Sequence, residues 1–380
     1  FKGSAYTYYN NQNFIGTTPG RLEDGKTRTK YDDQVTETVG ITLGGPIIKD
    51  KLFFFVSSEI YNKSYPNIYN PQDGYYTKYF NNTNPLGIAG SDVYEDYTYP
   101  VTVNGTTTNM TGQKFVGSAF TPELAQKLID VYQSRYKPGE NFSESFTPHQ
   151  KKNQSFNSMF RLDWNINTAN KLMFRYQYAN ALSDQYGSGT STYYFNNSSN
   201  SIVNNTHTLV LELNSRINDR MSNELRATGV FVRDHREVPY KAACVYITGD
   251  RYTINLGTYY SAGQNAMSSD AYTLSDNFTI LAGKHNVTLG THNELFRFFN
   301  IFRQYAFGEY VYTSVENYLN DKLDKFYYNY ADPELTGGET AWGATTWAAQ
   351  FGLYAHDELK PNRDLSITYG MRGDLPVLLN

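Results

Sequence analysis

The feature that most constrains this chain is the alternating length of the connections between its amphipathic segments. Short connections fall at 45–51, 165–170, 218–221, 282–285 and 360–364, and all carry Gly, Pro, Asn, Asp or Lys. Several of these residue types favour tight turns, through positive φ, a fixed φ or side-chain hydrogen bonds to the backbone. Long excursions rich in Asn, Gly and Tyr fall at about 10–34, 64–152, 183–200, 236–267 and 304–345. Short and long never exchange places along the chain. Consecutive antiparallel strands would then carry every short turn on one rim and every long loop on the other. That is the arrangement of a membrane barrel with periplasmic turns and extracellular loops.

Side chains alternate across a strand, so i and i+2 share a face. Phe160, Leu162 and Trp164 make one row against Arg161 and Asp163, and Leu172, Phe174, Tyr176 and Tyr178 make another against Met173, Arg175 and Gln177. Leu209, Leu211 and Leu213, then Val287 and Leu289, then Leu365, Ile367, Tyr369 and Met371 repeat the pattern. A half-buried soluble sheet also alternates, but its strands average about five or six residues, against roughly 9–11 for a tilted membrane strand. The runs here lie near 1–9, 35–46, 52–63, 154–165, 170–182, 202–217, 221–235, 268–281, 285–300, 346–358 and 365–376. The expected fold is all-β, an antiparallel transmembrane β-barrel. About eleven strands are half of the 22 found in plugged transporters, and an open sheet would leave two unpaired edges in lipid. The chain is therefore expected to be one partial barrel domain over 1–380, an internal fragment completed by further strands, with a large extracellular insertion at about 64–152.

Composition separates this reading from its main competitor, a Tyr-rich soluble sandwich. Hydrophobic residues are 39% and mean hydropathy is negative, yet aromatics reach 16%, with 35 Tyr and 23 Phe. Aromatic girdles and a polar lumen require that combination. A net charge of -4 shows no basic footprint for nucleic acid. The single cysteine, Cys244, excludes an intrachain disulfide or CxxC site and reads as a passive loop residue.

Thr121 as N-cap and Pro122 as first residue predict a helix over 121–132 with Leu124, Leu128 and Val131 on one stripe. A shorter helix is expected at 314–319. Neither acid–histidine doublet, Asp234-His235 or His356-Asp357, has a nucleophile at defined spacing, and strand neighbours point to opposite faces. No enzyme activity, cofactor or metal site is expected; Asp92, Glu95 and Asp96 lack a calcium-loop spacing. Solute contact is expected instead from inward polar residues, Arg161, Asp163, Arg175, Gln177 and Glu212, although opposite charges there can pair with one another or with a plug. Aromatic loop residues Tyr94, Tyr97, Tyr99, Tyr327 and Tyr328 are the second group, since rings stack on sugars or peptides at low entropic cost.

The segment from Gly40 through Gly44-Gly45-Pro46 to Phe53-Phe54-Phe55-Val56 resembles the second and third barrel strands of TonB-dependent outer-membrane proteins of the Oar-like group. Phe1 to Tyr6 resembles that group's first strand, and 307–312, 353–358 and 368–376 resemble its mid-barrel motifs. The resemblance implies a plugged barrel in the cell outer membrane, loops outward, embedded in outer-membrane lipids. It further implies energising by the TonB complex through a plug absent here, and translocation of a large solute such as a glycan, peptide or chelate. A surface lipoprotein is a further possible partner. The alternative is a surface-adhesion protein that uses the barrel as an anchor. Gly44 and Gly45 are expected to let the strand exit sharply before Pro46.

Overall fold

The computed structural model describes residues 1–16, 33–66, 92–103, 106–118, 122–136, 142–146, 150–185, 192–249, 252–339 and 341–379, with backbone only at 66, 92–103, 106–118 and 122–123. In chain order its strands are β1 Lys2–Asn11, β2 Val35–Ile48, β3 Leu52–Pro66, β4 Asp92–Val103, β5 Thr106–Ser118, β6 Gln150–Asn165, β7 Asn170–Gln185, β8 Thr192–Tyr194 and β9 Asn200–Asn218. They continue as β10 Met221–Glu237, β11 Cys244–Thr248, β12 Thr253–Leu256, β13 Gln264–Ala282, β14 His285–Arg303, β15 Glu309–Tyr312, β16 Lys325–Tyr327, β17 Ala344–Leu359 and β18 Ile367–Leu379. The helices are α1 Pro122–Tyr136, α2 Val315–Leu319 and α3 Pro333–Thr336.

Eleven strands form one antiparallel sheet in the order β1-β2-β3-β6-β7-β9-β10-β13-β14-β17-β18. Each of the eleven alternating runs carries one of them. β1 and β18 each pair on one side only, so among the described residues the sheet is open. β9, β13 and β14 reach 19 residues, well beyond the ~9–11 that a bilayer requires, and the excess lies at the long-connection rim.

Register places the apolar rows on a single face. Leu162, Phe174, Leu211, Ala227, Leu274, Asn293 and Phe351 follow one another across successive strands, and Phe160, Tyr176, Leu209, Gly229, Tyr272, Leu295 and Ala349 form the next row. Cross-strand partners point the same way, so a shift of one residue would invert the whole pattern. Asn223 and Asp276 are polar exceptions on this face and satisfy each other through a 2.7 Å hydrogen bond.

Side-chain chemistry builds the short turns. Asn167 Oδ1 accepts from the N–H groups of Ala169 and Asn170, Asn218 Oδ1 from Arg220 N–H, and Asn362 Oδ1 from Asp364 N–H. The expected exit at Gly44-Gly45 does not occur: β2 continues through both, paired with Phe55 and Phe54, and slips register only between Pro46 and Ile48. The left-handed residue of that turn is Asp50, at φ 59°.

The long excursions are less loop-like than their sequences suggest. β8, β11, β12, β15 and β16 come from three of them and form a five-stranded sheet, β16-β15-β11-β12-β8, in which β11 pairs parallel with β15 and β12 with β8. From a fourth excursion α1 packs on it, burying Leu124, Leu128 and Tyr132 against Val245, Ile247, Ile254, Leu256 and Tyr318. Each such fully buried apolar side chain contributes about 1.5–3 kcal/mol. Among the described residues this cap holds the main hydrophobic cluster. Cys244 belongs to it: it lies on β11, fully buried, rather than in a loop. β4 and β5 pair as a separate ribbon. The expected α1 N-cap, Thr121, lies outside the described residues, whereas Ser314 caps α2 by accepting from Asn317 N–H.

Candidate functional site

The five polar candidates on β6, β7 and β9 share the face opposite the apolar rows, as the register of these strands requires. Arg161 clamps Asp163 in a bidentate pair, Nε to Oδ2 at 2.8 Å and NH2 to Oδ1 at 2.7 Å. Glu212 receives Arg226 at 2.7 Å, a neighbour that the sequence pattern did not single out, and Asn214 Nδ2 donates to its second oxygen. Arg226 also reaches Glu224 at 3.3 Å. Farther along the same face Arg372 pairs with Asp374. Arg175 stands opposite Arg161 in the ladder, with its Nε buried and without a partner among the described residues. Gln177 lies level with Met159 and Thr208. Most of these charges neutralise one another in place, so the face is a wall of paired ions rather than a field of one sign.

In the acid–histidine doublets the partners come from other strands or positions, and Asp234 accepts from Asn204 Nδ2. Asp357 accepts from Tyr369 and lies 2.6 Å from His285 Nδ1 across the sheet, and His235 faces Glu237.

The aromatic candidates divide. Tyr94, Tyr97 and Tyr99 lie on β4, of which only the backbone is described. Tyr327 and Tyr328 join two ring stacks at the long-connection rim. One runs Tyr260–Tyr305–Tyr327, with centroids 5.2 and 5.0 Å apart and planes 23° from parallel at both steps. The other runs Phe326–Tyr328–Tyr330 at 6.4 and 5.8 Å. Alternation along 326–330 sends odd and even rings to different stacks. Tyr305, between two rings of the first, has φ 57°, a left-handed conformation that a bulky residue adopts only when its surroundings dictate it. Its N–H donates to Tyr260 O, and its own carbonyl accepts from Gly308 and Asn329.

Tyr330 opens into a cavity of about 500 Å³ shared with Phe302 at the end of β14 and Trp342 before β17. Phe302 and Trp342 are each 53% exposed and Tyr330 69%. Asn300, Asn329, Gln304 and Arg303 supply polar atoms between the rings, and Arg303 Nε is buried without a partner among the described residues. Flat rings interleaved with amides and one guanidinium can stack on an apolar face while hydrogen-bonding its polar edges. Three distant segments, 300–304, 329–331 and 342–344, build this cleft. The aromatic density of 304–345 signalled the region, but not Phe302 or Trp342.

Glu144 locks the cap beside it. It is 4% exposed; one carboxylate oxygen accepts from Ser145 N–H, Asn197 N–H and Asn197 Nδ2, and the other from Gly257 N–H at 2.7 Å. Burial pushes its carboxyl above the ordinary range, against the downward pull of those donors. Gly257, at φ 71°, admits Tyr132 of α1: a Cβ there would lie 2.3 Å from the tyrosine hydroxyl. Burial likewise pushes the Cys244 thiol up, next to Glu309.

Residues 1–378 match the family model described as outer membrane beta barrel domain. Among solved structures, the chain is similar to the outer membrane transporter YddB from Escherichia coli, at 10% identity and a TM-score of 0.52, covering 92% of this chain and 35% of that one. It also aligns with the CymD monoaromatic hydrocarbon channel, at 9% identity and a TM-score of 0.22, covering 98% of this chain and 86% of the other. The chain thus spans about a third of the length of the first of these. No curated protein matches it.

Proposed function

Because the chain belongs to the outer membrane beta barrel domain family, we propose that its eleven-stranded sheet is part of the wall of an outer-membrane transporter that moves a bulky solute. The protein resides in the outer membrane. The observation that carries the reading is the asymmetry of the sheet: one apolar face, one polar face of paired ions, and every long connection on one rim. On this reading the long rim faces outward, and the Phe302, Tyr330 and Trp342 cleft makes first contact with solute. A glycan suits it best, since sugar rings offer the C–H faces and hydroxyls that its rings and amides complement. Further strands, from the same protein or a partner, close the wall, and a plug coupled to the TonB complex supplies energy.

The test is accumulation of fluorescent oligosaccharides by cells producing the complete protein. Deleting the TonB energising complex is expected to abolish accumulation while leaving surface binding, and Trp342→Ala is expected to weaken that binding. Accumulation that persists without the complex would refute energy coupling.

A further inference from the structure

On the apolar face, β10 presents Ala227 and Gly229 where its neighbours carry large side chains. Leu211 and Leu209 of β9 stand on one side and Leu274 and Tyr272 of β13 on the other, and together they wall a furrow of about 640 Å³. Phe231 ends it, edge-on to Tyr272 at 5.5 Å. Directly beyond, on the same face and toward the long-connection rim, the apolar rows stop at a compact ion cluster. Asp270, level with Phe231, is 6% exposed and is held by Arg233 NH1 at 2.6 Å and Arg297 NH1 at 3.2 Å.

Two guanidiniums share one carboxylate, so the cluster keeps a net positive charge. Arg233 and Arg297 remain 43% and 33% exposed, and among the described residues their Nε and NH2 donors meet no acceptor. Trp347, level with Arg297, adds an exposed ring of the kind that sits at a headgroup boundary.

We infer that this furrow and cation pair form a site for one anionic, phosphate-headed membrane lipid: an acyl chain lies over Ala227 and Gly229, and the phosphate accepts from Arg233 and Arg297. Guanidinium forks match phosphate oxygens, and a cationic pair at the edge of an apolar band meets a headgroup just where it emerges from hydrocarbon. Asp270 holds both forks in position. The inference rests on the reading that the apolar face meets lipid.

The experiment is native mass spectrometry of the membrane-extracted protein, delipidated and offered equimolar phosphatidylglycerol and phosphatidylcholine with identical acyl chains. The wild type is expected to retain one phosphatidylglycerol with roughly tenfold preference. The triple substitution Arg233→Gln, Asp270→Asn and Arg297→Gln, which leaves the cluster uncharged, should abolish the preference while leaving acyl retention. Gly229→Leu, which fills the furrow and spares the cations, should lower retention of both lipids. Equal retention of the two lipids by the wild type, a preference that survives the triple substitution, or retention that Gly229→Leu leaves unchanged, overturns the site. Retention of neither lipid would instead strike at the membrane-facing reading itself.

Discussion

Glu144 shows how one residue can hold three chain segments together. Its carboxylate takes up the N–H groups of Ser145, Asn197 and Gly257, so 142–146, the 3-10 turn at Asn196–Ser198 and the end of β12 meet at one buried group. Because burial raises its pKa, the folded cap binds the Glu144 proton more tightly than the unfolded segment does. The stability this supplies is complete below the ordinary carboxylate pKa of about 4.3 and is lost as pH rises through the raised value. The urea midpoint of the cap, read by organomercurial labelling of buried Cys244, is expected to fall over that interval in the wild type. Glu144→Gln should flatten the dependence, and should lower the midpoint at acidic pH because an amide nitrogen cannot accept from Gly257 N–H. A pH profile that the substitution leaves unchanged would remove Glu144 from this role.

At the scale of elements, α1 joins the cap through packing and polar contacts, among them the Arg135–Asp321 ion pair at 3.3 Å. Leu124, Leu128 and Tyr132 are buried on one stripe; Tyr132 donates to Ala243 O, Tyr318 to Leu128 O and Arg135 to Tyr318 O, and the Tyr136 and Tyr312 hydroxyls lie 2.7 Å apart. A 15-residue helix is marginal alone, so this face decides whether it forms. Leu128→Ala should destabilise the cap by about 2–5 kcal/mol. Hydrogen exchange should then speed up in α1 and β11–β12 and stay unchanged in β6 and β7. Uniform acceleration across the large sheet would show that cap and sheet unfold as one unit.

At the scale of the molecule the unpaired edges dominate. Among the described residues, β1 and β18 carry rows of backbone donors and acceptors with no partner on their outer sides. In hydrocarbon each such group costs several kcal/mol, so in the membrane something pairs with them. In the membrane-extracted complete protein, amides of β18 are expected to exchange as slowly as those of β14. Fast exchange confined to β18 would mean an edge left open, and the proposed wall would fail with it.

The sequence by itself determined the large sheet. Period-2 rows such as Leu209, Leu211 and Leu213, bounded by turn residues such as Asn167 and Asn218, encode strand, face and turn within a few neighbouring residues, and alternating connection length encodes the rims. The shared face of Arg161, Asp163, Arg175, Gln177 and Glu212 was legible for the same reason. What tertiary structure alone decided is non-local. Strands of three to five residues such as β8, β11 and β15 are too short to show a period, and parallel pairing of Val245 with Tyr310 joins segments with no sequence relation. The Phe302, Tyr330 and Trp342 cleft and the Arg233, Asp270 and Arg297 cluster likewise exist only once distant strands take their register. Local propensity is written residue by residue, but a site assembled across strands is set by which strands become neighbours.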